Sequence, residues 1–212
     1  MFEPEFVVLL GPDYAGKSTV LRGLATAQPS WRLLSVDGEF LAPEHAVLTP
    51  LKKALFHQTL PGLGTHHSAD FVTALLQTAV VYLRDQILAC AAGGPVVVDS
   101  YYYKILAKCS LIGASAKPMF DWWREFPQPR RVLFLDVEPA TAWARSGYGA
   151  SANRMEFHGP RADRESFIEF QTDLRSAMLD EVVRLPVELV SGTGGADATL
   201  ARVREVIADE FA

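Results

Sequence analysis

Residues Glu5–Ala25 read EFVVLLGPDYAGKSTVLRGLA. The apolar run Phe6–Leu10 ends on Gly11, and after four residues Gly16, Lys17, Ser18 and Thr19 follow. This is the order G-x-x-x-x-G-K-[ST]. A turn that converges several N–H groups on one oxyanion needs it. The two glycines adopt backbone angles that a Cβ obstructs. A helix opening at Lys17 aims its unpaired N–H groups and positive end at the same point. Lys17 adds a mobile charge, and Ser18 a hydroxyl for Mg²⁺. Gly11, Asp13, Tyr14, Ala15, Gly16, Lys17, Ser18 and Thr19 are therefore the candidate holders of a triphosphate tail. The competing reading is a turn with a chance lysine, and the strand before and helix after favour the phosphate cradle.

The rest of the chain suits such a loop. Its 212 residues are enough for one sizeable core and predict one α/β domain over 1–212. Apolar residues make up 49% and charged ones 21%, ordinary globular values that argue against a disordered chain. The net charge of −5, with no basic run, argues against a nucleic acid polymer as partner. The acidic start, "MFEPEFVVLL", lacks the basic opening of an export signal. No long uninterrupted apolar stretch predicts a membrane span, so a cytoplasmic protein is expected. Cys90 and Cys109 are too few for a disulfide framework and lack metal-ligand spacing.

Apolar runs at Phe6–Leu10, Pro95–Val98, Val132–Leu135 and Val187–Val190, with a weaker one at Arg32–Gly38, lack polar alternation. That suits strands covered on both faces of a parallel sheet. Helical patterns fill the intervals at 18–27, 68–92, 139–145, 165–185 and 197–211. Alternation of this kind means βαβ units in one doubly wound domain. Two glycine-containing breaks, 57–68 and 145–164, are too long for plain connections. They fall in an acceptor-side loop at about 38–68 and a lid at about 146–163.

Asp99 ends the run "GGPVVVDS", at the rim where α/β sheets bind ligands. Asp37 and Glu39, in "SVDGEF", reach the same rim, with Phe40 beside them as a candidate acceptor contact. The acids are candidates for holding Mg²⁺ and for withdrawing a proton from the acceptor. Simple helix capping is the alternative role for each. Arg145, Arg154, Arg161 and Arg164 punctuate the lid, where cations closing on a moving phosphoryl group stabilise its transition state.

"LLGPDYAGKST", "GGPVVVDSY", "RVLFLDVEPATAWAR" and "NRMEFHG…ESFIEFQTDLRSAML" resemble, in order and across nearly the whole chain, the thymidylate kinase family of P-loop kinases. The resemblance implies the three-layer P-loop kinase fold, an α/β architecture with a five-stranded parallel sheet flanked by helices. It implies ATP·Mg²⁺ as donor, a nucleotide or nucleoside as small-molecule acceptor, and a homodimer. Lys17, Asp99, Asp37, Glu39 and Arg154 become the catalytic candidates. Arg145 joins the loop in binding ATP, and Ser18 and Asp99 take the metal. The activity implied first is phosphorylation of a dTMP-like monophosphate to the diphosphate.

Two positions depart from the pattern. Ser100 stands where the family has arginine after the aspartate, and Thr78 falls near the position of an arginine that holds the acceptor's 5′-phosphate. The helix segment "LLQTAVVYLRDQIL" is instead similar to deoxynucleoside kinases, as is "KILAK" at 104–108. Gln77 and Arg84, nearly two turns apart, are then candidates for reading a base, with Tyr101 lining the acceptor pocket. An exposed helix surface for Gln77 and a local ion pair for Arg84 are the structural alternatives. A (deoxy)nucleoside or other small-molecule hydroxyl kinase, and a non-catalytic NTP-binding switch, stay open as functions. Trp122 and Trp123 read as core or subunit contacts, and His57, His66 and His67 as loop residues.

Overall fold

The computed structural model describes residues 4–90 and 94–212. Five strands form the sheet: β1 (Val7–Leu10), β2 (Arg32–Leu34), β3 (Val96–Asp99), β4 (Arg131–Asp136) and β5 (Val187–Ser191). All neighbours are parallel, in the order β2-β3-β1-β4-β5. β1 lies at the centre because every one of its side chains is apolar and fully buried. The period-2 alternation of strands divides these side chains between two faces. Val8, Leu10, Val98 and Phe134 enter one core cluster, and Val7, Leu9, Val97 and Leu135 the other.

Helices cover both faces. The first cluster packs α3 (Ala69–Leu88) and α4 (Tyr103–Leu111) through Val72, Val80, Leu83 and Leu106, and α5 (Lys117–Arg124) through Trp123. The second packs α1 (Lys17–Ala27), α6 (Pro139–Arg145) and α8 (Ala196–Glu210) through Leu21, Leu24, Ala142 and Val203. α7 (Arg164–Glu181) touches both, with Phe167 in one cluster and Phe170, Leu174 and Met178 in the other. The result is the three-layer α/β architecture expected from the sequence. Caps explain the crisp starts of the long helices. Ser68 accepts from the Phe71 N–H at 3.1 Å and Asp163 from the Ser166 N–H at 2.9 Å.

The helix expected over 68–92 runs from Ala69 to Leu88, and positions 91 and 92 lie outside the described residues. The region expected as an acceptor-side loop holds a helix, α2 (Leu48–Ala54), which widens into a π-helical turn at Leu55–Thr59. Pro50 sits in its first turn, where a missing N–H costs nothing. Among the described residues, no helix is long and apolar enough to cross a membrane.

One close approach fixes how β1 enters the turn. Gly11 has φ +149°, and a Cβ there would stand 2.5 Å from the Leu135 carbonyl oxygen of β4. Gly11→Ala is expected to lower unfolding free energy by roughly 1–3 kcal/mol from backbone strain, with the clash added. An unchanged urea midpoint would refute this.

Candidate active site

The turn between β1 and α1 opens beside the carboxyl end of β3. Asp99 is the register partner of Leu9, and the Ser100 N–H donates to the Leu9 carbonyl at 2.9 Å. Asp99 therefore stands two residues' length from Gly11, at the switch point where strand order reverses. Gly16 caps α1 in the left-handed region, with φ +97°. No side chain caps this helix and no acid occupies its first turn. Its first N–H groups are thus left for an anion. Lys17 is buried, and its ammonium donates to the carbonyls of Gly11 at 2.9 Å and Pro12 at 2.8 Å. Burial first, and then the neighbouring Lys104 ammonium, pull its pKa down to about 7, against the pull of Asp99 and Asp13.

Behind the turn lies a buried charge cluster that sequence reasoning missed. Asp13 takes Lys104 Nζ at 2.7 Å and Lys108 Nζ at 2.8 Å, two lysines one helical turn apart on α4. Gln171 of α7 completes the shell, accepting from the Asp13 N–H and donating to its carboxylate, both at 3.1 Å. Burial alone would raise the Asp13 pKa, but Lys104, Lys108 and Lys17 hold it far below the carboxylate range. Glu156 extends the network. It accepts from Tyr14 Oη at 2.9 Å and from Asn153, and lies 3.6 Å from Lys108. The signal was present in "KILAK", whose i, i+4 lysines share one face of an otherwise apolar helix.

A cavity of about 870 Å³ runs from this turn to α2 and α3. Asp13, Tyr14, Ala15, Gly16, Lys17, Ser18 and Thr19 line it, as do Asp37, Asp99, Tyr101 and Arg145. Arg145 ties the turn to the loop after β5, donating to the Tyr14 carbonyl at 3.2 Å and the Gly192 carbonyl at 2.8 Å. Asp99 accepts from Ser35 Oγ at 3.0 Å and Ser100 Oγ at 2.9 Å. Ser35, unforeseen and fully buried, also accepts the Asp37 N–H at 3.2 Å, so it couples the two acids. The Asp37 carboxylate is paired with Lys52. Tyr101 is fully buried, and its hydroxyl has no hydrogen-bond partner.

Five nominated residues lie elsewhere. Glu39 pairs with Arg22 at 3.0 Å on the exposed surface, two positions past the acid that does face the cavity. Phe40 packs against the second core cluster. Arg154 lines a separate groove with His57 and Arg161, and its guanidinium reaches the Phe157 carbonyl at 3.5 Å. Arg84 donates through Nε at 2.9 Å and Nη2 at 2.7 Å to one carboxylate oxygen of Asp85, above the Trp122 and Phe126 rings. Gln77 is half-buried on α3 but outside the cavity lining.

The residues present fit a magnesium-bound triphosphate. The first-turn N–H groups, Lys17 and Arg145 can hold phosphate and base, while Ser18 and Asp99 are the groups that would hold the metal. No cluster of three His, Cys, Asp or Glu exists among the described residues. A P-loop site needs none, since Mg²⁺ there is shared between one or two protein oxygens and phosphates.

Two outcomes follow from the charges. A bound triphosphate restores the Lys17 proton, so binding at pH 8 is expected to take up protons and to strengthen as pH falls toward 7. Calorimetry in buffers of different ionisation enthalpy measures the uptake, which Lys17→Met should abolish. Asp13→Asn strands its lysines without their counter-charge and is expected to cost about 3–5 kcal/mol in chemical denaturation.

No family model and no curated protein sequence matches the chain. Solved structures do. Thymidylate kinase from Candida albicans superposes with a TM-score of 0.62 at 16% identity, over 98% of this chain and 92% of that one. Deoxyadenosine kinase from M. mycoides, solved with its products dCMP and dCDP, superposes with a TM-score of 0.60 at 11% identity, over 96% and 98%. With five parallel strands in this order and the glycine-lysine turn at their centre, the chain has the fold of the thymidylate kinase-like P-loop kinases.

Proposed function

We propose that the chain is an ATP-dependent phosphotransferase that moves the γ-phosphoryl group to a hydroxyl of a small acceptor, a nucleoside or another alcohol. The distribution of charge in the cavity carries this reading. Its lining cations are Lys17, Lys52, Lys104, Lys108 and Arg145. Four of them surround the phosphate turn. On the acceptor side stands Lys52, already paired with Asp37. A monophosphate acceptor brings a second phosphate, whose burial among uncharged side chains is costly unless a cation meets it. A hydroxyl makes no such demand.

The residues divide the work. Mg²⁺, when bound, supplies positive charge to the β- and γ-phosphate oxygens. Ser18 and Asp99 hold that ion's position, and Lys17 and the α1 N–H groups grip the phosphates. Asp37, on the acceptor side, takes the proton of the attacking hydroxyl. Lys52 pairs with its carboxylate and Ser35 fixes its backbone. The cytosolic homodimer implied by family resemblance belongs to the same proposal, and sedimentation velocity tests the oligomer.

The direct test is transfer of labelled γ-phosphate to nucleosides, other alcohols and thymidylate. Lys17→Ala is expected to lower turnover by several orders of magnitude. Asp37→Asn should lower kcat about 10²–10⁴-fold with nucleotide affinity retained. Faster transfer to thymidylate than to any hydroxyl acceptor would overturn the hydroxyl assignment. Slow ATP hydrolysis, indifferent to every acceptor, would leave an NTP-binding switch.

A further inference from the structure

We propose that the acceptor is an alcohol borne on an apolar body, recognised by burial rather than by a base edge. This rests on the phosphotransferase reading and narrows its acceptor. The chamber beyond Asp37 is closed on one side by Leu75, Ala79 and Leu83 of α3, and on the other by Leu51 and Leu55 of α2 and the following turn, with Phe56. Thr78 is in the lining, but its hydroxyl donates to the Leu75 carbonyl at 2.8 Å within its own helix. The amide of Asn153 is likewise committed to Glu156, and its carbonyl to the Met155 N–H at 2.9 Å.

Reading a nucleobase requires a donor and an acceptor side by side on one wall. The amides with that capacity on α3 are Gln77 and Gln86, the latter paired with Arg32 and His45, and the donor-only Arg84 is placed elsewhere too. Gln77 lies outside the lining, and Arg84 spends its fork on Asp85 while its plane covers Trp122 and Phe126. A base entering this chamber would set most of its polar edge against leucine, which disfavours it. A hydrocarbon chain or ring meets no such cost and gains with each buried methylene. Thr59 and Thr78 are the polar side chains of the α2 and α3 walls, and charge stands at one end, where Asp37 and Lys52 face the phosphate turn. That arrangement suits a single hydroxyl directed at Asp37, with the apolar remainder between α2 and α3.

The test is a homologous series of primary alcohols, butanol to decanol, with 3-phenylpropanol, against thymidine and thymidylate. Each is assayed for labelled phosphate transfer from ATP·Mg²⁺ and, separately, for competition in a binding assay. The expected result is an apparent KM that falls roughly threefold to fourfold per added methylene until the chamber fills. Thymidine should bind at least about tenfold more weakly than the best alcohol. Ala79→Glu, which puts a charge in the wall, should flatten the series, and its circular dichroism checks that it folds. If it does not fold, the wild-type series decides alone. Graded binding without transfer would support the apolar chamber while overturning the phosphotransferase reading. Preference for thymidine or thymidylate would overturn the apolar acceptor and leave phosphotransfer standing. A flat or absent response to chain length would also overturn it.

Discussion

The site depends on one buried carboxylate. Asp13 sits inside the phosphate turn with Lys104 and Lys108 within ion-pair distance and Lys17 close by. Crowding ammonium groups in a poorly hydrated place is unfavourable, and a lone buried carboxylate is equally so. Together they satisfy one another, and Gln171 fills the remaining hydrogen-bonding positions. The pairing joins the turn, α4 and α7 into one unit. Burial and Lys104 still hold the Lys17 pKa down to about 7, against the pull of Asp99 and Asp13.

Strain collects around the same point. Tyr14, Ser100 and Tyr101 have positive φ, at 60°, 58° and 47°, without being glycine. Such conformations persist when surrounding contacts over-determine them. Tyr14 is held by its hydroxyl on Glu156 and by Arg145 on its carbonyl. Ser100 is held by its N–H on Leu9 and its hydroxyl on Asp99. Tyr101 is locked by aromatic packing against Phe6, Tyr102 and Tyr103. The bend at Ser100 and Tyr101 sends the chain away from the sheet immediately after Asp99, which leaves that carboxylate facing the cavity.

The acceptor side shows how the fold sorts residues of similar promise. Asp37 and Glu39 are two positions apart, yet one meets Lys52 at the cavity and the other meets Arg22 at the surface. Gln77 and Arg84 share a helix interval that points them the same way. The interval does not say what lies on that side, and for Arg84 it is Trp122 and Phe126 from α5 and the loop after it. Lys52 and Ser35 were invisible as site residues because nothing local marks them, and the lysine pair of "KILAK" marks Lys104 without showing which acid it meets. Their roles come from partners 15, 64 and 91 positions away in the chain.

The sequence by itself determined the glycine-lysine turn, the five strands, of which the central three are buried, and the long helices that follow most of them. These depend on local order and on periodicity, which a linear reading sees directly. It missed α2, α4 and α5, which are short, one of them opening among tyrosines and two holding a proline in the first turn. Tertiary structure alone decided which charges meet at Asp13, which acid faces the cavity, and that the cavity walls from α2 and α3 are mostly apolar. Those outcomes depend on which faces of separate helices come together, and that is set by packing across the sheet rather than by spacing along the chain.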